Sequence, residues 1–82
     1  MSQKSVNLTA APQLVAIGEG AAMIGADHNK VKYLIGGTSS APDALPFTVY
    51  TGSKEPMNLA PGEGLWVFGQ GLATIFADNE PS

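Results

Sequence analysis

Leu65-Trp66-Val67-Phe68-Gly69-Gln70-Gly71-Leu72-Ala73-Thr74-Ile75-Phe76-Ala77 is the stretch on which the reading of this chain turns. Two apolar runs of strand length flank a Gly-Gln-Gly turn, and that spacing predicts a β-hairpin. Successive side chains of a strand point to opposite faces. Leu65 and Val67 therefore oppose Trp66 and Phe68 in direction, and Ile75 opposes Phe76. Both strands are apolar on both faces. One face lines a core, and the other requires a second layer or a neighbouring subunit.

Working back toward the N-terminus, ten glycines and six prolines cut the chain into apolar pieces of similar length. Such pieces are the usual length of a strand and too short for most helices. Residues 5–9 alternate, with Val6 and Leu8 on one side, and Pro12 follows. Residues 13–17 carry Leu14, Val15 and Ile17 and end at Gly18-Glu19-Gly20, a turn. Residues 21–26 continue as a strand, and Gly18, Gly20 and Gly25 weigh against the helical alternative at about 1 kcal/mol per interior glycine. After a polar turn at 27–30, Val31, Tyr33 and Ile35 share one face while Lys32 and Leu34 share the other. Residues 38–46, with Pro42 and Pro46, form the longest irregular segment and are expected as a surface loop. Short runs at 47–51 and 57–59 precede the Pro61-Gly62-Glu63-Gly64 turn.

These pieces predict one all-β domain over residues 1–82, a small antiparallel β-sandwich or barrel with short strands and Gly/Pro turns. Residues 1–4 and 78–82 are expected as frayed ends. A domain of 82 residues hides only about 60% of the surface its unfolded chain exposes. Small scaffolds of this kind add disulfides, a metal or oligomerisation, since one small core rarely supplies more than about 3–5 kcal/mol. The chain has no cysteine and one histidine, which leaves oligomerisation. Charged residues make up 13% of the chain and hydrophobic residues 44%. A surface so poor in charge argues again for partners.

The formal net charge is -3, and the four basic residues are Lys4, Lys30, Lys32 and Lys54. Without arginine or a positive field, nucleic acid and anionic membranes are poor partners. The N-terminus lacks the long apolar run of a secretory signal, and no stretch reaches the length that spans a bilayer, so synthesis in a cytoplasm is expected.

The motifs that carry chemistry are weak. Gly18 and Gly20 match two positions of a dinucleotide-binding glycine turn, but Met23 occupies the place of the third glycine. A turn between strands is the better reading. Asn7-Leu8-Thr9 satisfies the glycosylation pattern in a segment already explained as a strand. His28 is the only base of the usual catalytic type and sits in a polar turn, where a solvated histidine is the ordinary expectation. The carboxylates are scattered, with no local spacing of a glycosidase or metal site. No catalytic, cofactor-binding or metal-binding residue is assigned, and an enzyme is not expected. The aromatic residues Tyr33, Phe47, Tyr50, Trp66, Phe68 and Phe76 are read mostly as core, with some left as anchors or stacking platforms.

The order Pro12-Gln13-Leu14-Val15, then Tyr33-Leu34-Ile35-Gly36-Gly37, a Pro-rich loop, the segment Leu59 to Phe68 and the strand Ala73-Thr74-Ile75 resembles small virion proteins of tailed phages. The resemblance implies a compact β-sandwich or barrel that decorates or cements a capsid, often as a trimer or another symmetric oligomer. It implies a phage major capsid protein or another virion protein as partner, residence in the virion after synthesis in the host cytoplasm, and no catalytic residues. The interface candidates are Leu65, Trp66, Val67, Phe68, Ile75, Phe76 and Tyr50. The alternative is a carbohydrate- or receptor-binding tail or fibre module, with Trp66, Tyr33 or Tyr50 stacking on a sugar beside a recognition loop at 38–43.

Overall fold

The computed structural model describes residues 2–81, so positions 1 and 82 of the expected domain lie outside the described residues. Eight strands follow one another: β1 (Ser2–Leu8), β2 (Gln13–Ile17), β3 (Gly20–Gly25), β4 (Val31–Gly36), β5 (Phe47–Val49), β6 (Lys54–Leu59), β7 (Gly64–Gly69) and β8 (Gly71–Ala77). They form two four-stranded antiparallel sheets, ordered β1-β8-β3-β6 and β2-β7-β4-β5. The all-β expectation holds, as a sandwich and not a closed barrel. Only the β4–β5 connection stays within one sheet; every other connection crosses to the opposite sheet. That strand order is the double-sheet jelly roll.

The expected hairpin of β7 with β8 is not formed. β7 pairs with β2 and β4 in one sheet, while β8 pairs with β1 and β3 in the other. Gly69 and Gly71 both take positive φ, 140° and 84°, a backbone region that side chains with a Cβ rarely adopt. A Cβ on Gly71 would collide with the Asn29 side chain. The Gly-Gln-Gly element is thus a corner that carries the chain from one sheet to the other. A tight hairpin and a corner use the same residues, and only the pairing of the flanking strands separates them.

The alternation read from the sequence explains the core. On the inner face of the first sheet, Ala22 is opposite Ala77 and Ile24 is opposite Ile75; on the second, Leu65 is opposite Ile35 and Val67 opposite Tyr33. Ile24, Leu65, Ile75, Val31 and Val67 are the largest fully buried side chains. No buried side-chain polar atom among the described residues lacks a partner. The chain exposes 4596 Å², close to the ~4600 Å² expected of a folded monomer of this mass.

Within the described residues both ends make contacts with the sheets. Residues 2–4 continue β1 against β8, and Lys4 Nζ approaches Glu80 Oε1 at 3.8 Å. The Asp78 amide donates to the Ala21 carbonyl at 3.0 Å, and the Ile17 amide donates to the Asn79 carbonyl at 3.1 Å.

If the inner face is as described, Ile75→Ala lowers the unfolding free energy by about 2–5 kcal/mol. Leu72→Ala, three residues earlier on the outer face and 44% exposed, costs about 1 kcal/mol or less. Urea denaturation of the two variants checks the order, and equal losses would contradict it.

Candidate functional site

The two apolar faces of β7 find their second layer within the chain. Leu65 and Val67 face the opposite sheet. Trp66 faces outward between Leu14 of β2 and Leu34 of β4, its register partners. Leu34 is only 5% exposed although it points away from the sandwich interior. The segment 37–46 accounts for this, because it folds back onto the outer face of its sheet. Gly36 and Gly64 lie opposite one another on that face, and a Cβ on Gly36 would stand 2.8 Å from Pro42 Cγ. One on Gly64 would stand 2.9 Å from the Gly37 carbonyl oxygen. The indole Nε1–H of Trp66 donates to that same carbonyl at 2.8 Å. Two facing glycines make the bed, and a tryptophan fastens the loop to it.

The interface candidates separate accordingly. Leu65, Val67 and Ile75 are 0–1% exposed and are core residues, which corrects their assignment as contacts. Their two-sided strands were read as needing a second layer or a neighbouring subunit; the opposite sheet is that layer for all three, and the 37–46 loop covers the other face of β7. Trp66, Phe68 and Phe76 are half-buried on the outer faces. Tyr50 is 67% exposed. Beside it, sequence reasoning missed Leu45 and Phe47, 91% and 61% exposed. Leu45 stands in a proline-rich loop with no alternating apolar neighbour, and that isolation is the signal that would have found it. Phe47 stood among the aromatics expected mostly in the core, with no feature that separated it from them.

Leu45, Phe47 and Tyr50 lie in one short segment around β5, an edge strand of three residues, with Leu45 before it, Phe47 at its start and Tyr50 just past its end. Phe47 is not loose, since its ring stacks on Tyr33 with centroids 5.3 Å apart. Tyr33 lies on the inner side at this margin of the sandwich. Burial, and then the nearby Glu55 carboxylate, push its phenol above the ordinary tyrosine value.

The four edge strands each carry a feature that blocks further strand pairing. β1 points Lys4 inward, opposite Ile75. β2 carries a bulge between Leu14 and Ala16. β5 is very short, and β6 holds Pro56 together with Glu55, which faces inward opposite Ile24. Association through added strands is disfavoured, so side chains rather than backbone edges are what the molecule offers a partner.

Among the described residues no group of three or more His, Asp or Glu side chains is placed to hold a metal. His28 is exposed on the β3–β4 loop, and Asp27 beside it accepts a hydrogen bond from the Thr74 hydroxyl at 2.8 Å.

Two expectations follow. Trp66→Phe removes the hydrogen bond to Gly37 and costs about 0.5–1.5 kcal/mol; amide exchange then accelerates over residues 37–46 and not over β8, and uniform acceleration would contradict the fastening role. Tyr33 ionises above its unfolded value of about 10. Its neutral form is the one the fold favours, so its contribution is fully present below about pH 10 and is lost as pH rises through the folded value. Thermal melts at alkaline pH check this, and Tyr33→Phe should show a shallower loss than the parent.

Comparison of the chain with protein-family models, curated proteins and solved structures finds no match.

Proposed function

We propose that this protein is a non-enzymatic structural component of a phage particle that decorates or cements the capsid. The segment 45–50, with Leu45, Phe47 and Tyr50 exposed, seats on the major capsid protein. The observation that carries this reading is the concentration of exposed large apolar side chains: among the described residues, three of the four with that character lie in residues 45–50, the fourth being Leu72. Exposed apolar surface on a small domain marks an interaction site, and the defended edges leave side chains to make the contact. The jelly-roll architecture is compatible with the reading, since it recurs in viral capsid proteins, but it also recurs in lectins and carries no function by itself.

The protein acts as a homo-oligomer, a trimer in the favoured arrangement, with no nucleic acid or membrane in its contacts. The expectation of a partner came from small size without staples and from a charge-poor surface; the exposed Leu45, Phe47 and Tyr50 now support it as well. The alternative of a sugar stacked on Trp66 is weakened by the indole N–H, which is committed to Gly37, and by Tyr33, which is engaged with Phe47.

The test is cosedimentation with capsids that lack this chain, together with native mass measurement. Leu45→Ser combined with Tyr50→Ser alters two exposed positions and should leave the fold intact. It is expected to weaken capsid association by about tenfold or more, as loss of anchoring side chains does. Parent protein that stays monomeric and remains in the supernatant would overturn the proposal.

A further inference from the structure

A second surface, bordered by Thr51 next to Tyr50, has a different chemistry. An open groove of about 580 Å³ lies where the β3–β4 loop meets the β7–β8 corner. Lys30, Lys32 and His28 line it with Asn29 and Gln70, and the ring of Phe68 forms part of its wall. Lys32 and Phe68 are direct cross-strand partners on the outer face of their sheet.

The charge placement is not what the composition would scatter. Acidic residues outnumber basic ones seven to four, yet no carboxylate lines this groove. Asp27, the acidic residue nearest in sequence, is turned to the outer face of the other sheet, where it holds the Thr74 hydroxyl. Glu19, Asp43, Glu63, Asp78 and Glu80 fall on connections and a terminal segment at the opposite end of the strands, while Glu55, on β6 at the groove's end, points inward between the sheets opposite Ile24. Of the remaining lysines, Lys4 is paired with Glu80 and Lys54 stands on β6 of the other sheet. Lys30 and Lys32 therefore face the groove without an anionic neighbour in its lining.

The lining is rich in donors: two ammonium groups, two carboxamides and an imidazole. Its acceptors are uncharged, the carboxamide oxygens and the Thr51 hydroxyl, and its apolar element is an aromatic ring. Donors of this kind bind an anion through charge-assisted hydrogen bonds, and an aromatic face accepts a sugar or other ring by stacking. The volume exceeds what a bare inorganic ion fills.

We propose that this groove binds an acidic saccharide, with Lys30 and Lys32 on the carboxylate and Phe68 against the sugar ring. Asn29 and Gln70 donate to ring hydroxyls from the two sides.

The experiment is a ¹H–¹⁵N NMR titration of the full chain at neutral pH and low ionic strength with glucuronate, inorganic phosphate and glucose in parallel. Glucuronate is expected to give saturable shifts confined to the groove that weaken as salt is added, with phosphate and glucose each binding at least about tenfold more weakly. Lys30→Gln with Lys32→Gln should weaken glucuronate by about tenfold or more, while Lys54→Gln leaves it unchanged. Both variants alter exposed residues, and the same spectra report whether the fold persists. Equal affinity for phosphate would overturn the saccharide assignment. Absence of saturation by glucuronate, or shifts that persist in the double variant, would overturn the site. Capsid association is tested separately, through Leu45 and Tyr50.

Discussion

The corner at Gly69-Gln70-Gly71 is the constraint on which the rest of the molecule depends. It sends β7 and β8 into different sheets, and each then becomes an interior strand, β7 between β2 and β4 and β8 between β1 and β3. A side-by-side hairpin would leave Leu65 and Val67 in the same sheet as Ile75. The crossing places them in opposed layers instead, where they close a core from both sides. Positive φ at both glycines makes this crossing accessible to the backbone. The Asn29 side chain fills the space that a Cβ on Gly71 would take.

Much of the fold was legible because burial imposes a period. Residues 13–17 were read with the observed bounds, and Val31, Tyr33 and Ile35 share the inner face as their alternation requires. Pairing was not legible. The β7 and β8 runs carry strong strand character and a short glycine turn, and local chemistry favours joining them. Their true partners are distant in sequence, and a two-sided apolar strand suits either sheet. The outer cover was hidden for a similar reason. Gly36 and Gly64 read as a stop and a turn, whereas their shared register makes them the floor on which 37–46 lies.

The candidate site was legible only in part. Tyr50 was singled out as an aromatic without an assigned core place, and it is exposed. Leu65, Val67 and Ile75 were singled out for apolar character, the same property that buries them. What distinguishes a contact residue from a core residue is its position on the finished sandwich, and residue type does not encode that. The clustering of the two groove lysines was visible as a Lys-Val-Lys alternation at 30–32, but its isolation from carboxylates emerges only when the loops are placed. The defended edges and the well-packed interior describe a domain that stands as one body and meets other molecules through side chains on its surface.

The account's central claim is the crossing at residues 69–71, and the direct measurement is a map of backbone proton contacts between strands by NMR. The crossing predicts contacts of Ile75 with Lys4 and Ile24, and of Val67 with Tyr33 and Gln13, across the pairings of their separate sheets. A ladder of backbone contacts between residues 65–68 and 72–77, the signature of a hairpin, would contradict it.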